Sequence, residues 1–329
     1  MAYEILFIGL DQMGASIGMA LADAQGKIIR VGFEPDRQLA KRAEMVGAVD
    51  QLVTHPRKAI TSADLVIFSL PMEEVEVYLE HLGEKTKAGV TLIDTAQIKA
   101  PFFRWAKEYL PEGRSYIGLT PIVGPASLVG GDTPSDEPRP DLYKDGLLAI
   151  IAPPEAEESA VAVAINLATI IEATPFFIDL HEHDAALTFT EEIPILLSDA
   201  LLQATVHSTS WRELERVAGL NFAHATSLCT AVPRNVLEKR LVLNRQKTVD
   251  KLDQFILELQ NLREVMADED GQGISTYLEN AEQTRSSWLR AREQADWGSE
   301  ELRPAEKIKK TGILANLLGL RRKKPGEVK

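Results

Sequence analysis

The first twenty residues constrain the fold of this 329-residue chain more than any other segment. They consist of a short apolar strand that ends at Gly9, a tight turn, and apolar and small residues at helical spacing as far as Leu21. A buried strand followed by a glycine turn and a helix is typical of the start of a βαβ unit. The stretch therefore predicts an α/β fold with a parallel sheet covered by helices.

The turn carries most of a phosphate-binding motif. Gly9 and Gly14 occupy the first and third glycine positions of G-x-G-x-x-G, in which backbone N–H groups and a helix N-terminus face a pyrophosphate. The second glycine is replaced by Asp11, whose carboxylate can cap the helix and occupy the place meant for phosphate. We predict a nucleotide-binding element with Gly9, Asp11, Met13 and Gly14 at the cofactor. The alternative is a fold of the same type without a ligand.

Later strand ends point to the same crevice. Glu34 follows the second strand, 25 residues after Gly9, where an acidic side chain binds the ribose hydroxyls of NAD and repels the 2′-phosphate of NADP. Further cofactor contacts are expected at the ends of the next strands, from Ser69, Pro71 and Asp94. NAD is therefore the expected cofactor, and NADP is less favoured.

Strand and helix patterns divide the chain into two domains and a tail. Strands are predicted at Ile28–Phe33, Ala63–Leu70, Gly89–Asp94, Tyr116–Gly124, Gly146–Ala152 and Thr174–Asp179, with residues 125–145 as a surface loop. From about residue 184 the periodicity is helical, most clearly over Val236–Met266, whose apolar stripe favours a subunit interface over an intrachain core. We predict a Rossmann-type doubly wound domain over residues 1–180, an all-helical substrate and dimerisation domain over 181–298, and a basic amphipathic tail over 299–329.

Charge and composition limit the partners. The net charge is −13, and residues 305–329 carry eight Lys or Arg against two Glu, so the rest of the chain carries −19. An acidic body argues against nucleic-acid binding. The tail joins leucines to four consecutive cations, which suits an anionic membrane surface or a protein partner; the alternative is a solvated end. A single cysteine, Cys229, and the absence of a signal peptide or an apolar span favour a cytoplasmic protein without a metal site.

Several motifs resemble the prephenate and arogenate dehydrogenase family over about residues 3–292. They are the Gly9–Leu21 element, Asp94–Lys99 where the family has Asp-x-x-Ser-x-Lys, Ile117–Pro121 where it has a Gly-x-His-Pro strand end, Arg139–Tyr143, and the entry to the helical region from Glu182 to Pro194. The resemblance implies a domain that binds NAD(P), a helical domain that dimerises, and a small carboxylic acid substrate of tyrosine biosynthesis, oxidised and decarboxylated between them.

The positions that carry the family's chemistry are occupied by other residues. Thr120 stands in the place of the catalytic histidine, Gln97 in the place of the loop serine, and Glu192 in the place of the histidine of Ser-His-x-Pro. A threonine hydroxyl cannot accept a proton near neutral pH as imidazole does. We therefore predict Glu192 as the replacement base, with His183 or Lys99 as alternatives and with Thr120 and Gln97 at the reacting centre.

The substrate side also departs from the family. Its carboxylate-binding arginine falls near Ser227, and residues 217–233 contain no arginine. Lys99 and His183 are the predicted substrate contacts that remain. These departures leave alternatives open: a dehydrogenase for a different small acid, or a family fold retained for regulation or scaffolding.

Overall fold

The computed structural model describes residues 2–24, 28–125, 137–267 and 271–296. These form two compact units. The nucleotide unit comprises the chain up to Asp179 together with the end of the last helix from Thr284, and the helical unit comprises Leu180–Gln283. The predicted tail, residues 299–329, lies outside the described residues.

One eight-stranded sheet forms the centre of the nucleotide unit. Its strands are β1 (Tyr3–Ile8), β2 (Ile28–Phe33), β3 (Gln51–Leu52), β4 (Leu65–Phe68), β5 (Thr91–Asp94), β6 (Ser115–Ile122), β7 (Leu147–Ile151) and β8 (Thr174–Phe177). They lie in the order β3-β2-β1-β4-β5-β6-β7-β8. The order reverses beside β1, as in a doubly wound sheet. The predicted α/β class is confirmed.

The prediction of parallel strands throughout is wrong at β7. Strands β1 to β6 run parallel to one another. Strand β7 is antiparallel to β6, and β8 is parallel to β7. The chain returns beside the end of β6, where Gly124 N donates to Leu142 O and Gly146 N donates to Tyr143 O. A Cβ at Gly146 would lie 2.3 Å from Ile122 O, so the close approach requires glycine. Since β7 begins where β6 ends, it runs back along it.

Helices cover both faces of this sheet. They span Gln12–Ala20, Arg37–Met45, Ala59–Ser62, Met72–Leu82, Ala100–Tyr109 and Glu158–Ile170. The residues Ile5 to Ile8 of β1 are 0% exposed, as expected for a strand buried on both faces. Ile17 of the first helix packs in the same core as Ile5 and Phe7. The apolar run that dominates the start of the sequence is thus the centre of the core.

The helical unit is built from short and long helices in sequence. They span Leu180–Leu187, a π-helical turn at Thr188–Glu192, Ile193–Val206, Trp211–Val217, Leu220–Ala225, Arg234–Leu243, Arg245–Ala267 and the part of Gly271–Glu293 up to Gln283. The single helix predicted over Val236–Met266 is broken at Asn244. The Asn244 side chain turns inward and donates to Thr188 Oγ1 at 2.8 Å. Asparagine is disfavoured in helix interiors because its side chain offers hydrogen bonds that compete with those of the backbone.

The long helix Arg245–Ala267 leaves apolar side chains uncovered in the single chain. Leu257 is 67% exposed, and Val249, Ile256, Leu259 and Met266 are also exposed. An exposed apolar stripe on a helix is typical of an interface between proteins. Within the described ranges, the longest helices are too polar to cross a bilayer.

Candidate functional site

The crevice at the carboxyl ends of β1 and β4 is shaped by glycine. Gly9 has φ +96°, and its N–H donates to Phe33 O at 2.8 Å. A Cβ on Gly9 would lie 2.1 Å from Ser69 O, and one on Gly14 would lie 2.8 Å from Gly9 O. The turn therefore packs directly on the end of β4, which only glycine permits.

Replacing Gly9 by alanine is expected to lower the free energy of unfolding by about 3 kcal/mol, because left-handed strain adds to overpacking against Ser69. Gly47 is the matched control, since it also has positive φ but a Cβ added there would meet no atom within 4 Å. Its alanine variant should lose only about 1 kcal/mol. Urea unfolding of both variants measures the difference, and equal losses would contradict the steric argument.

Asp11 fills the position of the missing second glycine. It caps the helix Gln12–Ala20, and its Oδ1 accepts hydrogen bonds from Gly14 N at 2.9 Å and from Ser69 Oγ at 2.6 Å. The Met13 N–H also donates to this carboxylate, while the Met13 side chain is half-buried against the core. Burial raises the pKa of Asp11, opposed by these hydrogen bonds and by Arg42. The carboxylate thus takes the amide donors that a pyrophosphate uses in this fold.

Glu34 lies against the glycine turn, as the sequence spacing predicts. Its Oε2 accepts from Leu10 N at 2.7 Å, and its Oε1 accepts from Asp36 N at 2.9 Å. Burial raises the pKa of Glu34, and the nearby charge of Asp11 acts in the same direction. Each carboxylate oxygen retains acceptor capacity beyond one hydrogen bond, so this arrangement fits a ribose hydroxyl at the adenosine end of a dinucleotide.

The end of β4 completes the crevice. Ser69 Oγ, which donates to Asp11, lies 3.1 Å from Thr95 Oγ1 at the end of β5. Pro71 is exposed and precedes the helix Met72–Leu82 at its amino end. These residues fit a dinucleotide at Gly9, Gly14 and Glu34, but Asp11 would meet its pyrophosphate with a carboxylate.

Asp94 and Lys99 form a buried ion pair below the crevice. Lys99 Nζ donates to Asp94 Oδ1 at 2.8 Å and to Leu119 O at 2.6 Å, and both side chains are 0% exposed. Tyr116 donates its hydroxyl to the second Asp94 oxygen. Burial raises the pKa of Asp94, opposed by Lys99. A Cβ at Gly118 would lie 3.0 Å from Lys99 Cδ, so this glycine makes room for the lysine stem.

Asp94 and Lys99 are both 0% exposed. The cofactor contact predicted for Asp94 and the substrate contact predicted for Lys99 stay predictions. Spacing did not predict this burial, because strand ends point to a crevice without revealing which side chains turn into the core. Thr120 lies in β6 opposite Ala149 and is 6% exposed, whereas Gln97 is half-buried in the loop after β5.

A second buried polar cluster lies inside the helical unit. Glu192, on the π-helical turn, is 1% exposed and its Oε2 accepts from Asn244 Nδ2 at 3.0 Å and from Thr248 Oγ1 at 3.1 Å. Arg240 Nε lies 3.3 Å from Glu192 Oε1. Burial raises the pKa of Glu192, opposed first by the bond from Asn244. The geometry favours a structural role for this carboxylate, and its assignment as a base stays a prediction.

The partners of Glu192 were not among the residues predicted from the sequence. Arg240, Asn244 and Thr248 recur every four residues, and that spacing of polar side chains on one face of a predicted helix is the signal that identifies them. Glu192 lies on a π-helical turn, and such turns occur frequently at functional sites, so a functional role for this cluster remains a prediction.

The two substrate contacts predicted in this unit are His183 and Ser227. His183 is buried, with Nδ1 3.0 Å from Asp184 Oδ1, and Asp184 also accepts from Lys247 Nζ at 3.3 Å. Ser227 is exposed, and its hydroxyl donates to His224 O within its own turn. Across the part of the chain that the structure describes, His, Cys, Asp and Glu side chains form no cluster suited to a metal ion.

The sheet order, the glycine turn and Glu34 define the class of a nucleotide-binding protein with a separate helical domain. Two family models match the chain: prephenate dehydrogenase, nucleotide-binding domain, over residues 17–174, and prephenate dehydrogenase, dimerization domain, over residues 179–280. The chain belongs to the prephenate dehydrogenase family. The first match begins after the turn that carries Asp11.

Relatives with this fold span most of the chain. Prephenate dehydrogenase of Bacillus subtilis is 25% identical over 289 residues, covering 85% of this chain and 75% of the relative. Cyclohexadienyl dehydrogenase of Zymomonas mobilis is 22% identical, covering 86% and 94%. The structure of Aquifex aeolicus prephenate dehydrogenase with hydroxyphenyl propionate and NAD+ superposes with a TM-score of 0.75 at 16% identity, covering 87% of this chain and 98% of that one. Synechocystis arogenate dehydrogenase gives 0.71 at 15%, covering 87% and 99%.

Proposed function

We propose that this protein is an NAD-dependent dehydrogenase that oxidises prephenate, arogenate or a closely related cyclohexadienyl acid. The observation that carries the proposal is the match of both domains to one family, together with Glu34 beside the glycine turn. In this reaction the ring carbinol gives up a hydride, which bound NAD accepts, and carbon dioxide leaves as the ring becomes aromatic. The protein's task is to hold the two molecules together and to take the hydroxyl proton.

Glu34 supports NAD over NADP. Its two oxygens are held by the amides of Leu10 and Asp36, so the carboxylate is fixed in position beside the turn. A fixed negative charge there repels a 2′-phosphate and accepts hydrogen bonds from ribose hydroxyls. On the substrate side we retain Lys99, His183 and Ser227 as proposed contacts, and the buried ion pair of Lys99 with Asp94 also stabilises the core of the nucleotide unit.

Calorimetric titration with NAD and with NADP, followed by assays of NADH formation with prephenate and with arogenate, tests this function. We expect NAD to bind more tightly than NADP, and at least one of the two acids to be oxidised. A protein that binds neither dinucleotide would favour the second candidate, a regulatory or scaffolding role. That alternative is supported by Asp11 in the phosphate position and by Thr120 in place of the family's histidine.

We further propose that the exposed face of Arg245–Ala267 pairs two copies of the chain. The dimerization-domain match and the exposed apolar side chains of this helix support it. Sedimentation should give about twice the chain mass of 36.3 kDa. Ile256→Glu, at a position 49% exposed, should shift the protein toward monomer, whereas Met45→Glu, at a position 72% exposed in the nucleotide unit, should not. A monomeric native chain at micromolar concentration would contradict the proposal.

A further inference from the structure

We propose that Asp11 couples dinucleotide binding to the uptake of one proton. The inference rests on the proposed function and adds a regulatory property to its cofactor site. The carboxylate of Asp11 accepts from Gly14 N and Ser69 Oγ at the helix terminus where this type of fold binds a pyrophosphate. When the dinucleotide binds, Asp11 takes a proton from solvent, and its negative charge no longer opposes the phosphate.

Asp11 and a bound pyrophosphate would share hydrogen-bond donors. Asp11 Oδ1 accepts from Gly14 N at 2.9 Å and from Ser69 Oγ at 2.6 Å, and the Met13 amide also donates to the carboxylate. Amides of the first turn of a helix are the groups that a pyrophosphate uses in this type of crevice. Two anions in contact with the same donors repel each other, and protonation of one of them removes that repulsion.

A second observation points to a ligand at the same place. The Tyr143 side chain is 1% exposed, and among the described residues its hydroxyl has no hydrogen-bond partner. Burial raises the pKa of Tyr143, and so does the charge of Asp11, which puts the hydroxyl within electrostatic reach of that carboxylate. A buried hydroxyl without a partner is destabilising, so the Tyr143 hydroxyl would be stabilised by an acceptor brought beside it.

The charged surroundings set the sign of the pH dependence. Glu34 follows β2, and its own pKa is raised by burial and by Asp11; Arg42, on the helix Arg37–Met45, is the cation whose charge acts on Asp11. Burial outweighs Arg42 and the hydrogen bonds, so the pKa of Asp11 is raised above its ordinary value. A bound pyrophosphate raises it further. Affinity is therefore highest below the pKa of the free protein and falls as pH rises from that value to the pKa of the complex.

Calorimetry of NAD binding to the full-length protein between about pH 5 and 9, in pairs of buffers that differ in ionisation enthalpy, tests the inference. In the window between the two pKa values, we expect the Kd to rise by up to tenfold per pH unit, with up to one proton absorbed per NAD bound. Asp11→Asn keeps the size of the side chain and remains a good helix cap. This variant should bind NAD with a Kd that changes less than about twofold over the same range, and without proton uptake by the crevice.

Three results separate the possible failures. If Asp11→Asn still takes up a proton when NAD binds, the proton goes to another group and the inference is overturned. NAD binding by the native protein that is independent of pH also overturns the inference, but leaves the proposed function standing. If neither the native protein nor Asp11→Asn binds NAD at any pH, the proposed function itself fails.

Discussion

Lys99→Met is expected to lower the free energy of unfolding by about 3–5 kcal/mol, because it leaves the carboxylate of Asp94 buried without its cation. Both side chains of the pair are 0% exposed, so water cannot replace the lost ammonium group. Lys99 also donates to Leu119 O, so the change removes a bond between the loop after β5 and strand β6. Urea unfolding followed by circular dichroism at fixed protein concentration measures the loss.

Two further variants test whether the uncompensated charge of Asp94 causes this loss of stability. Adding Asp94→Asn to Lys99→Met should recover much of the stability, since the uncompensated charge is then gone. Lys144→Met removes a surface ion pair with Glu172, in which both side chains are more than half exposed, and should leave the free energy of unfolding nearly unchanged. Equal losses for Lys99→Met and Lys144→Met would contradict the structural role of the buried pair.

Thr120→His is expected to raise the rate of NADH formation from prephenate by about a hundredfold or more, since general acid–base groups typically contribute a hundred- to ten-thousand-fold. The native protein should react slowly, because a threonine hydroxyl cannot take the substrate proton near neutral pH. Thr120 lies opposite Ala149 on the neighbouring strand and is 6% exposed.

Thr120→Gln is the control of similar size without a base, and its rate should stay at the native level. The rate of Thr120→His should rise with pH through the ordinary imidazole pKa of about 6.5, since the neutral ring is the base. Glu192→Gln tests the predicted replacement base: it should abolish any residual native rate. Rapid native turnover that is unaffected by Glu192→Gln would contradict both the assignment of Glu192 and the expectation of an impaired site.

The features of this protein that were predictable from the sequence are those set by short-range interactions along the chain or between adjacent strands. The strand, turn and helix from Tyr3 to Leu21 were predictable because apolar periodicity and glycine positions report backbone geometry within a few residues. The cap formed by Asp11 follows from the same local chemistry. The contact between Glu34 and the turn was predictable because two adjacent parallel strands end at one edge of a sheet.

Interactions between distant segments were decided by tertiary packing alone. The burial of Asp94 with Lys99 and Tyr116 depends on how the loop after β5 closes against β6, and no spacing in the sequence reports that closure. The reversal of β7 likewise depends on the close approach of two glycine-containing segments beside β6.

The sequence by itself therefore determined the class of the fold, the family and the glycine turn with its carboxylate, because each is carried by local pattern and spacing. Tertiary structure decided the roles of individual polar side chains. In the folded chain Glu192 is a hydrogen-bonded carboxylate inside the helical unit. Tyr143 carries a buried hydroxyl whose pKa is raised by burial and by the charge of Asp11. The reason is physical: solvation and hydrogen-bond partners depend on which distant residues pack around a group, and these set both its pKa and its availability for chemistry.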